Sequence, residues 1–314
     1  MLVTGGSGFI GSNLVKELNS RGHKVWLCDL LHSEKENFVR CDVGKYHQVE
    51  RLFNEHDFDF VYHAAAEYGR WNGEDYYENL WQTNAVGTKN ILRIQEKKKF
   101  RMIFFSSAEV YGDYDGIMRE DVMDTVAIKQ MNDYAISKWV NEMQILNSAA
   151  MFGTESVRMR LFNVYGVGEH YTPYRGWVPK FIYKAMNDQP YTVYLGHKRS
   201  LEYVEDLCRA FANIMDNFKS GEVYNFGGET SYGIKYVSDL ILKNLGKDDS
   251  MVTYEDGEPF TTRVKNPDAS KARRDLGFEL TVQPEEGLRR TVEWFKKFYG
   301  KAIERARKDC LKHE

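Results

Sequence analysis

The chain contains few of the residues that mark exported, metal-binding or membrane proteins. Its 314 residues include only four cysteines, and none of them forms a C-x-x-C pair or stands with histidines at the spacing of metal ligands. This scarcity predicts reduced thiols and no metal site. No apolar run is long enough to span a bilayer, and a glycine motif begins at residue 4 with no leader before it. We therefore expect a cytoplasmic protein that has no membrane partner.

Excess charge and proline are also scarce. The net charge is -3, from 43 basic and 46 acidic residues, which argues against nucleic acid as a partner. The six prolines form no proline-rich linker, and the sequence contains no internal repeat. Apolar residues make up 42% of the chain, as in ordinary globular proteins. The length then indicates one large domain or two closely packed ones.

The N-terminal residues have the pattern of a strand, a glycine turn and a helix. Leu2 and Val3 are apolar, residues 4–11 contain the glycines, and residues 12–18 have helical spacing. In such a turn Gly5 allows a tight bend, Gly8 lets backbone approach a pyrophosphate, and Gly11 allows close helix packing. The helix N-terminus, with Phe9 and Ile10, would direct free N–H groups at the anion. The alternative is a plain glycine-rich loop.

Acidic residues follow the next two predicted strands. Asp29 ends an apolar run about 20 residues past the glycines, where a carboxylate accepts hydrogen bonds from the adenosine ribose. Because it would repel a 2′-phosphate and no Arg follows it immediately, we predict NAD rather than NADP. Asp42, with Val43, follows a third short strand and could meet the adenine edge. Asp29 could instead start a turn.

Further strands and helices alternate up to about residue 162, which predicts an α/β fold with a doubly wound parallel sheet and its ligand at the carboxyl ends of the strands. After the fourth strand, the small residues Ala64, Ala65 and Ala66 would let a flat cofactor lie close to backbone. A single long helix is expected over residues 74–98. The fifth strand runs into Ser106 and Ser107, and a serine there could bind a substrate hydroxyl or cap a helix.

Tyr134 and Lys138 lie four residues apart on a helix predicted over residues 131–152, so both side chains leave the same helix face. A phenol is a poor base at neutral pH unless a nearby cation lowers its pKa, and Lys138 could supply that cation. Taken alone, a tyrosine and a lysine at this spacing could also occur by chance on any amphipathic helix.

Together these motifs resemble the extended short-chain dehydrogenase/reductase family, and more narrowly its nucleotide-sugar epimerases and dehydratases. The resemblance implies a Rossmann-type fold with NAD and a smaller C-terminal α/β domain for a nucleotide-sugar substrate. It implies that residues 1–165, with strands from 200–230, form the NAD-binding domain, and that residues 166–314 mainly bind substrate. By position, Tyr134 matches the catalytic base, Lys138 the residue that binds the nicotinamide ribose, and Ser107 the hydroxyl that positions the sugar. The implied cofactor contacts are Gly5, Gly8, Phe9, Ile10, Gly11, Asp29, Asp42, Val43, Ala64, Ala65, Ala66, Asn84, Ser106, Tyr134 and Lys138.

The second half supplies the candidate substrate contacts. Asn163 lies in a segment similar to the family's R-x-F-N-x-Y-G, and Arg199 in one similar to R-D-F-x-Y-V-x-D-L, where a guanidinium suits phosphate binding. Arg175 ends the loop after the first segment. The family's R-P-G-D element is missing, so Arg263 or Lys265 is the expected substitute.

The resemblance also implies that Tyr134 removes a proton from a sugar hydroxyl, commonly at C4, while hydride passes to NAD, which leaves a 4-keto sugar. What happens to this ketone depends on residues 107–109. Dehydratases of the family place T-D-E here, whereas this chain has Ser107, Ala108 and Glu109, and Ala108 cannot protonate a leaving hydroxyl. Glu109 could be a base at C5, assist decarboxylation or be structural. We rank 4-epimerase first, net 4-dehydrogenase second, and decarboxylase or dehydratase third, with an NAD-binding sensor or scaffold as the non-enzyme alternative. A homodimer is expected, through helices that carry Leu80, Trp81, Ile91, Trp139, Met143 and Leu146.

Overall fold

A seven-stranded parallel sheet forms the centre of the computed structural model, which describes residues 1–259 and 261–310, with side chains up to residue 300. The strand order is β12-β7-β5-β4-β1-β2-β3, and every neighbouring pair runs parallel. This confirms the Rossmann-type α/β class, with the order reversing beside β1. In chain order the strands are β1 (Leu2–Thr4), β2 (Trp26–Asp29), β3 (Phe38–Arg40), β4 (Phe60–His63), β5 (Arg101–Ser107), β6 (Ile117–Met118), β7 (Ser156–Leu161), β8 (Val164–Tyr165), β9 (Tyr191–Tyr194), β10 (Lys198–Arg199), β11 (Glu202–Tyr203), β12 (Val223–Phe226), β13 (Tyr232–Gly233), β14 (Val252–Glu255) and β15 (Asn266–Pro267).

Helices cover both faces of this sheet and build the C-terminal part. They are α1 (Phe9–Ser20), α2 (Tyr46–Glu55), α3 (Arg70–Asp75), α4 (Tyr77–Trp81), α5 (Gly87–Lys98), α6 (Val122–Thr125), α7 (Asp133–Phe152), α8 (Trp177–Met186), α9 (Val204–Asp216), α10 (Ile234–Leu245), α11 (Ser270–Leu276) and α12 (Pro284–Cys310). A π-helical turn occupies Gln82–Val86 and a 3₁₀ turn Ala108–Tyr111. Among the described helices none is long and apolar enough to cross a bilayer.

The sheet is buried between two helical layers, as parallel sheets require. On one face α1 packs against α9, and Leu14, Leu18 and Phe211 belong to the same buried cluster. On the other face α2, α5 and α7 bury Phe53 and Ile145. The strand β12 lies in this sheet beside β7, although more than 60 residues separate the two strands, so the chain leaves the sheet after β7 and later returns to it.

The C-terminal part has a core of its own. The helices α8, α10 and α12 pack around β9 and β14, which pair parallel, and they bury Phe181, Ile241, Leu288 and Phe295. The two-residue strand β15 pairs parallel with β6 and ties this half of the chain to the loop that follows β5. The side chains beyond residue 300, with Cys310 among them, lie outside those that the structure describes.

The single helix predicted over residues 74–98 is wrong, because the segment is divided into α3, α4, the π-helical turn and α5. The helical conformation is interrupted at Tyr76, whose φ of -129° is not helical. The wider π turn directs the Asn84 amide inward, where it donates to the Glu67 carbonyl and to the Ser137 hydroxyl. The segment therefore bends to follow α7 instead of running straight.

Glu142 fixes α7 to the sheet through a buried ion cluster. Its carboxylate is fully buried and accepts from Arg160 Nε at 3.0 Å, from Arg160 Nη2 at 2.8 Å and from Arg158 Nη1 at 3.2 Å. The Ser106 hydroxyl donates to the same carboxylate at 2.5 Å. Burial alone would raise the pKa of Glu142, but the two guanidinium groups hold it below its usual value. The cluster joins α7 to both β5 and β7.

Replacing Glu142 by Gln is expected to lower the free energy of unfolding by about 3–5 kcal/mol, because it leaves two buried guanidinium groups without a counter-ion. Urea unfolding followed by circular dichroism would measure the change. The matched control is Glu293→Gln, which removes an exposed partner of Arg289 and should leave the free energy nearly unchanged. Equal effects of the two substitutions would contradict the importance given to the buried cluster.

Candidate functional site

A cavity of about 560 Å³ opens at the carboxyl ends of β1, β4, β5 and β7 and continues into the C-terminal part. This is where open parallel sheets bind ligands, and the volume is typical of a cofactor or substrate site. Most of the residues predicted for the site line this cavity. Asn84, Arg263 and Lys265 do not.

The glycine turn packs closely against neighbouring backbone and leaves no room for a side chain at Gly5 or Gly11. Gly5 has a φ of +65°, and a Cβ there would lie 2.8 Å from the Ala65 nitrogen. A Cβ on Gly11 would lie 2.1 Å from the Gly5 carbonyl oxygen, so Gly11 cannot be replaced without moving the turn. Gly8 precedes α1 without a side-chain cap, and Phe9 and Ile10 line the cavity. This cradle fits the pyrophosphate of a dinucleotide, which would meet the open N-terminus of α1.

The acidic residues lie at the expected end of the cleft. Asp29 accepts backbone hydrogen bonds from Ser7 at 2.9 Å and Leu30 at 2.8 Å, one on each carboxylate oxygen. Each oxygen keeps acceptor capacity for a ribose hydroxyl. Asp42 accepts from the Gly44 nitrogen at 2.9 Å and lines the cavity. The further lining residues at this end are Val43, Ala64, Ala65 and Ala66. These carboxylate acceptors therefore fit the hydroxyl donors of the adenosine half of NAD.

Two residues predicted as cofactor contacts have other partners. The Asn84 amide is buried and forms its hydrogen bonds with the Glu67 backbone and with Ser137. It therefore stabilises the loop after β4 and does not reach the cavity. The residue before it, Thr83, lines the cavity in its place. The hydroxyl of Ser106 donates to Glu142, although the residue lies at the cavity wall.

Tyr134, Lys138 and Ser107 meet at the centre of the cavity. Asn132 caps α7 by accepting from the Ala135 nitrogen at 2.9 Å, which fixes the first turn and with it Tyr134. The Lys138 ammonium donates to the Phe105 carbonyl at 2.9 Å and lies 5.8 Å from the centre of the Tyr134 ring. The Ser107 hydroxyl hydrogen-bonds the phenol. A hydroxyl of a bound molecule could therefore contact the phenol and the serine together.

The expected lowering of the Tyr134 pKa is not produced by the protein alone. Burial raises the pKa of Tyr134 to about 12 and outweighs the Ser107 hydrogen bond and the Arg175 charge, both of which act to lower it. Burial also lowers the pKa of Lys138 to about 7, against the attraction of Glu142. A base of this kind needs a further positive charge beside the phenol, as a bound nicotinamide would supply.

Glu109 pairs with Lys265, a partner that its sequence neighbours do not indicate. Burial opposes ionisation of Glu109, but the Lys265 ammonium, which hydrogen-bonds it, lowers the pKa of the carboxyl to about 2. Lys265 is itself only 5% exposed. The pairing of β15 with β6 brings Lys265 to this position across more than 150 residues of sequence. Ala108 between the serine and the glutamate is buried and carries no titratable group.

The two arginines that were expected to contact phosphate are engaged elsewhere. The Arg199 guanidinium lines the cavity but makes five hydrogen bonds to neighbouring protein groups, including the backbone carbonyls of Lys198, Thr262 and Arg263. The predicted role of Arg263 as a phosphate contact is not supported, because its side chain is 61% exposed, pairs with Asp256 and lies outside the cavity wall. The partners of both arginines are set by the conformation of the surrounding loops, which the spacing of sequence motifs does not specify.

Asn163 and Arg175 keep polar atoms for a ligand. The Asn163 backbone nitrogen donates to Glu202 at 2.6 Å, while its buried Nδ2 has no hydrogen-bond partner among the described residues. Arg175 lies 3.2 Å from Glu169, measured between Nε and Oε1, and both residues line the cavity. Nothing in the motifs singled out Glu169, a charged residue in the loop after Gly166 that is nevertheless buried.

Cys41 and His197 line the cavity, whereas His63 at the end of β4 does not. His63 is buried between the Thr4 and Thr88 hydroxyls, at 2.8 and 3.2 Å from its two ring nitrogens, and burial lowers its pKa to about 3. It is therefore a neutral packing residue at the end of β4. In the part of the chain that the structure describes, no group of three or more His, Cys, Asp or Glu residues is arranged to hold a metal ion.

Comparisons with known proteins agree with this geometry. A profile of the NAD dependent epimerase/dehydratase family matches residues 1–227. The UDP-N-acetyl-alpha-D-glucosaminuronate decarboxylase of Bacillus cytotoxicus is 32% identical, over 94% of this chain and 97% of the relative. The dTDP-glucose 4,6-dehydratase of Salmonella typhimurium is 27% identical, over 94% and 92%.

A solved structure of a similar protein contains NAD. The UDP-glucose 4-epimerase of Thermus thermophilus, solved in complex with NAD, superimposes with a TM-score of 0.83 at 26% identity, covering 94% of this chain and 98% of that one. These proteins carry out three different net reactions on one scaffold. Taken with the glycine cradle and the Tyr134, Lys138 and Ser107 cluster, they show that the chain is an NAD-dependent enzyme of the epimerase/dehydratase family within the extended short-chain dehydrogenases.

Proposed function

We propose that this enzyme oxidises the C4 hydroxyl of a nucleotide sugar, with Tyr134 as the base that removes the hydroxyl proton. Ser107 holds that hydroxyl against the phenol, and Lys138 binds the nicotinamide ribose. NAD, when bound, supplies the hydride acceptor for C4 and a positive charge that favours the phenolate. The observation that carries this proposal is the meeting of Ser107, Tyr134 and Lys138 in one buried cluster. Asn163, through its unpartnered amide, contributes a substrate contact.

For the net reaction we favour decarboxylation of a nucleotide-linked uronic acid. Once C4 is a ketone, a carboxylate on C5 is in the β position. The C5–C6 bond can then break with loss of carbon dioxide, and its electron pair passes into the enolate of the C4 ketone. A proton is then added at C5 and the hydride returns to C4. No acid is needed at C6, which agrees with Ala108.

The charges around Glu109 favour decarboxylation over dehydration. Dehydration needs a base at C5 and a proton donor at C6, whereas the Lys265 ammonium keeps the pKa of Glu109 near 2 and Ala108 offers no proton. Lys265 and Arg199 are both buried near Glu109, and the two further charges beside them, Arg70 and Glu258, pair with each other. This leaves a positive charge that suits the carboxylate of a uronic acid. The similarity to a uronate decarboxylase agrees with the same assignment.

4-Epimerisation, which ranked first on sequence grounds, is the second candidate. It also needs no acid at C6, because the ketone only turns over and takes hydride back on its other face. The similarity to a solved 4-epimerase, over 98% of that protein, favours it. Release of the ketone as a net dehydrogenase product has no comparable observation in its favour.

Product analysis separates these reactions. Purified enzyme incubated with NAD and UDP-glucuronic acid is expected to release carbon dioxide and a UDP-pentose, detected by mass spectrometry and NMR. A product of unchanged mass with inverted C4 would establish epimerisation instead, and loss of water would contradict both candidates. Lys265→Met should lower kcat/KM for the uronic acid by about a hundredfold, since it removes a buried charge partner.

Two variants serve as controls in the product assay. Lys265→Arg keeps the charge and should recover part of the lost kcat/KM. Tyr134→Phe keeps the ring but removes the hydroxyl that takes the substrate proton, so it should abolish turnover of every sugar tested. Unchanged turnover by Tyr134→Phe would refute the catalytic role of that residue.

We also propose that the glycine turn holds the NAD pyrophosphate, as the sequence indicated. Gly11→Ala should weaken NAD binding by about tenfold or more, because its Cβ would lie 2.1 Å from the Gly5 carbonyl and displace the turn. Isothermal titration calorimetry would measure the dissociation constant. Gly233→Ala is the matched control, since a Cβ there meets nothing within 4 Å, and it should bind NAD like the wild type.

We also propose the homodimer, with an interface that excludes some of the residues indicated by the sequence. Leu80 and Ile91 are buried in the subunit core, so they cannot form an intersubunit contact. One side of α7 instead exposes Ile136, Met143 and Leu146, each by more than a third. Light scattering is expected to give the mass of a dimer, and Met143→Glu should shift it to a monomer. Leu195→Glu, at an exposed apolar residue outside α7, is the control, and a monomeric wild type would refute the proposal.

A further inference from the structure

The Arg175 guanidinium lines the cavity and forms few hydrogen bonds with the protein. Its side chain is 15% exposed and lies over the Tyr68 ring, with 4.0 Å from the guanidinium carbon to the ring centre. Its Nε is buried without a hydrogen-bond partner among the described residues, although the Glu169 carboxylate is 3.2 Å away. Stacking on an aromatic face orients a guanidinium while leaving its N–H edges free.

Glu169 is the complementary half of this pair. The residue is 5% exposed and lines the cavity, and its Oε2 atom is buried with no hydrogen-bond partner within the described chain. A buried carboxylate oxygen without a donor is costly unless the carboxyl is protonated or a ligand approaches. The pair therefore contains two unsatisfied polar atoms, Nε and Oε2, in the same corner of the cavity.

The position of Arg175 connects the two ends of the site. Its guanidinium carbon is 5.6 Å from the ring centre of Phe9, the first residue of α1 after the glycine turn. Its charge also acts on the Tyr134 phenol, whose pKa it helps to lower. A group bound to Arg175 would thus lie between the dinucleotide turn and the proton-transfer site. Arg199 is less available there because its N–H groups are engaged by the protein.

We propose that Arg175 binds an anionic oxygen group of the nucleotide sugar and so selects for it, and that Glu169 is the positioning residue that holds the guanidinium ready. The inference rests on the proposed function in one respect, that the substrate is a nucleotide sugar. The ligand chemistry is a pair of anionic oxygens, which either the diphosphate or a sugar carboxylate provides. Both match the two-pronged geometry of a guanidinium.

Competition for Arg175 should make this binding depend on pH. Burial raises the pKa of Glu169 to about 7, against the opposing attraction of Arg175. Below that pH the carboxyl is neutral and Arg175 is free to pair with the ligand, whereas above it the carboxylate competes. The other titratable side chains near Arg175 are Tyr68, on whose ring it lies, His170 on the same loop and Tyr134 on α7. Burial and Arg175 lower the pKa of His170, and burial raises that of Tyr134.

Calorimetric titration of the NAD-loaded enzyme with UDP, UDP-glucose and UDP-glucuronic acid tests the proposal without requiring turnover. Arg175→Met should weaken binding by about tenfold or more, as expected for loss of a charged hydrogen-bond donor. Arg175→Lys should recover only part of the loss, because an ammonium cannot bind two oxygens in parallel. Arg119→Met removes an exposed arginine outside the cavity and should bind all three probes like the wild type.

The pattern of losses identifies the bound group. Weaker binding of all three probes to Arg175→Met assigns the guanidinium to the diphosphate, and weaker binding of UDP-glucuronic acid alone assigns it to the carboxylate. In the wild type the affinity should fall as pH rises through about 7, and in Glu169→Gln this dependence should flatten. Unchanged affinities in Arg175→Met overturn the inference alone, and so does a loss of NAD binding with unchanged sugar-nucleotide binding. A wild type that binds no probe overturns the proposed function itself.

Discussion

The buried carboxylate of Glu142 is the contact on which the geometry of the site depends. It joins α7, which carries Tyr134 and Lys138, to Arg158 and Arg160 of β7 and to Ser106 of β5. Charges buried this deeply are stable only when geometry and hydrogen bonding are nearly complete, so the cluster tolerates little movement of the helix. The strand end with Ser107 and the helix with the tyrosine are therefore held at one separation. A proton-transfer pair requires this, because its efficiency depends on distances of a fraction of an ångström.

The remainder of the site is assembled from segments that are distant in sequence. Lys265 reaches Glu109 because β15 pairs with β6, and Arg175 reaches Tyr68 because two loops cross the mouth of the cavity. Gly69, with a φ of +91°, allows this crossing, since a Cβ would lie 2.7 Å from the Tyr174 carbonyl oxygen. In the proposed function the N-terminal half supplies the oxidation centre, and Arg175 and Lys265 from the C-terminal half supply charges close to it.

Local patterns in the sequence predicted the parts of the molecule that local physics determines. The Rossmann-type fold was confirmed, and the glycine turn, Asp29 and the pair of Tyr134 and Lys138 lie in the cavity because strand, turn and helix signals bring each motif to a strand end. The π-helical turn after α4 escaped prediction, because it accompanies the hydrogen bonds between Asn84 and the Glu67 backbone, which helix propensity does not encode. The pairing of Glu109 with Lys265, the burial of Glu169 and the internal hydrogen bonds of Arg199 escaped for the same reason. Each depends on contacts between loops, which no residue spacing encodes.

The register of β15 against β6 has a consequence for how this enzyme could acquire a different chemistry. The pairing aligns Asn266 with Ile117, which places Lys265 at the carboxylate of Glu109. A one-residue shift in the register of β15 against β6, which a change of length in the preceding loop can cause, would bring Val264 or Asn266 to that carboxylate. Glu109 would then lose its ammonium partner, and its pKa would rise toward that of a usable base. A change of loop length, far from the motifs that define the family, would alter the acid–base properties of the catalytic centre while every residue of the oxidation machinery stayed the same.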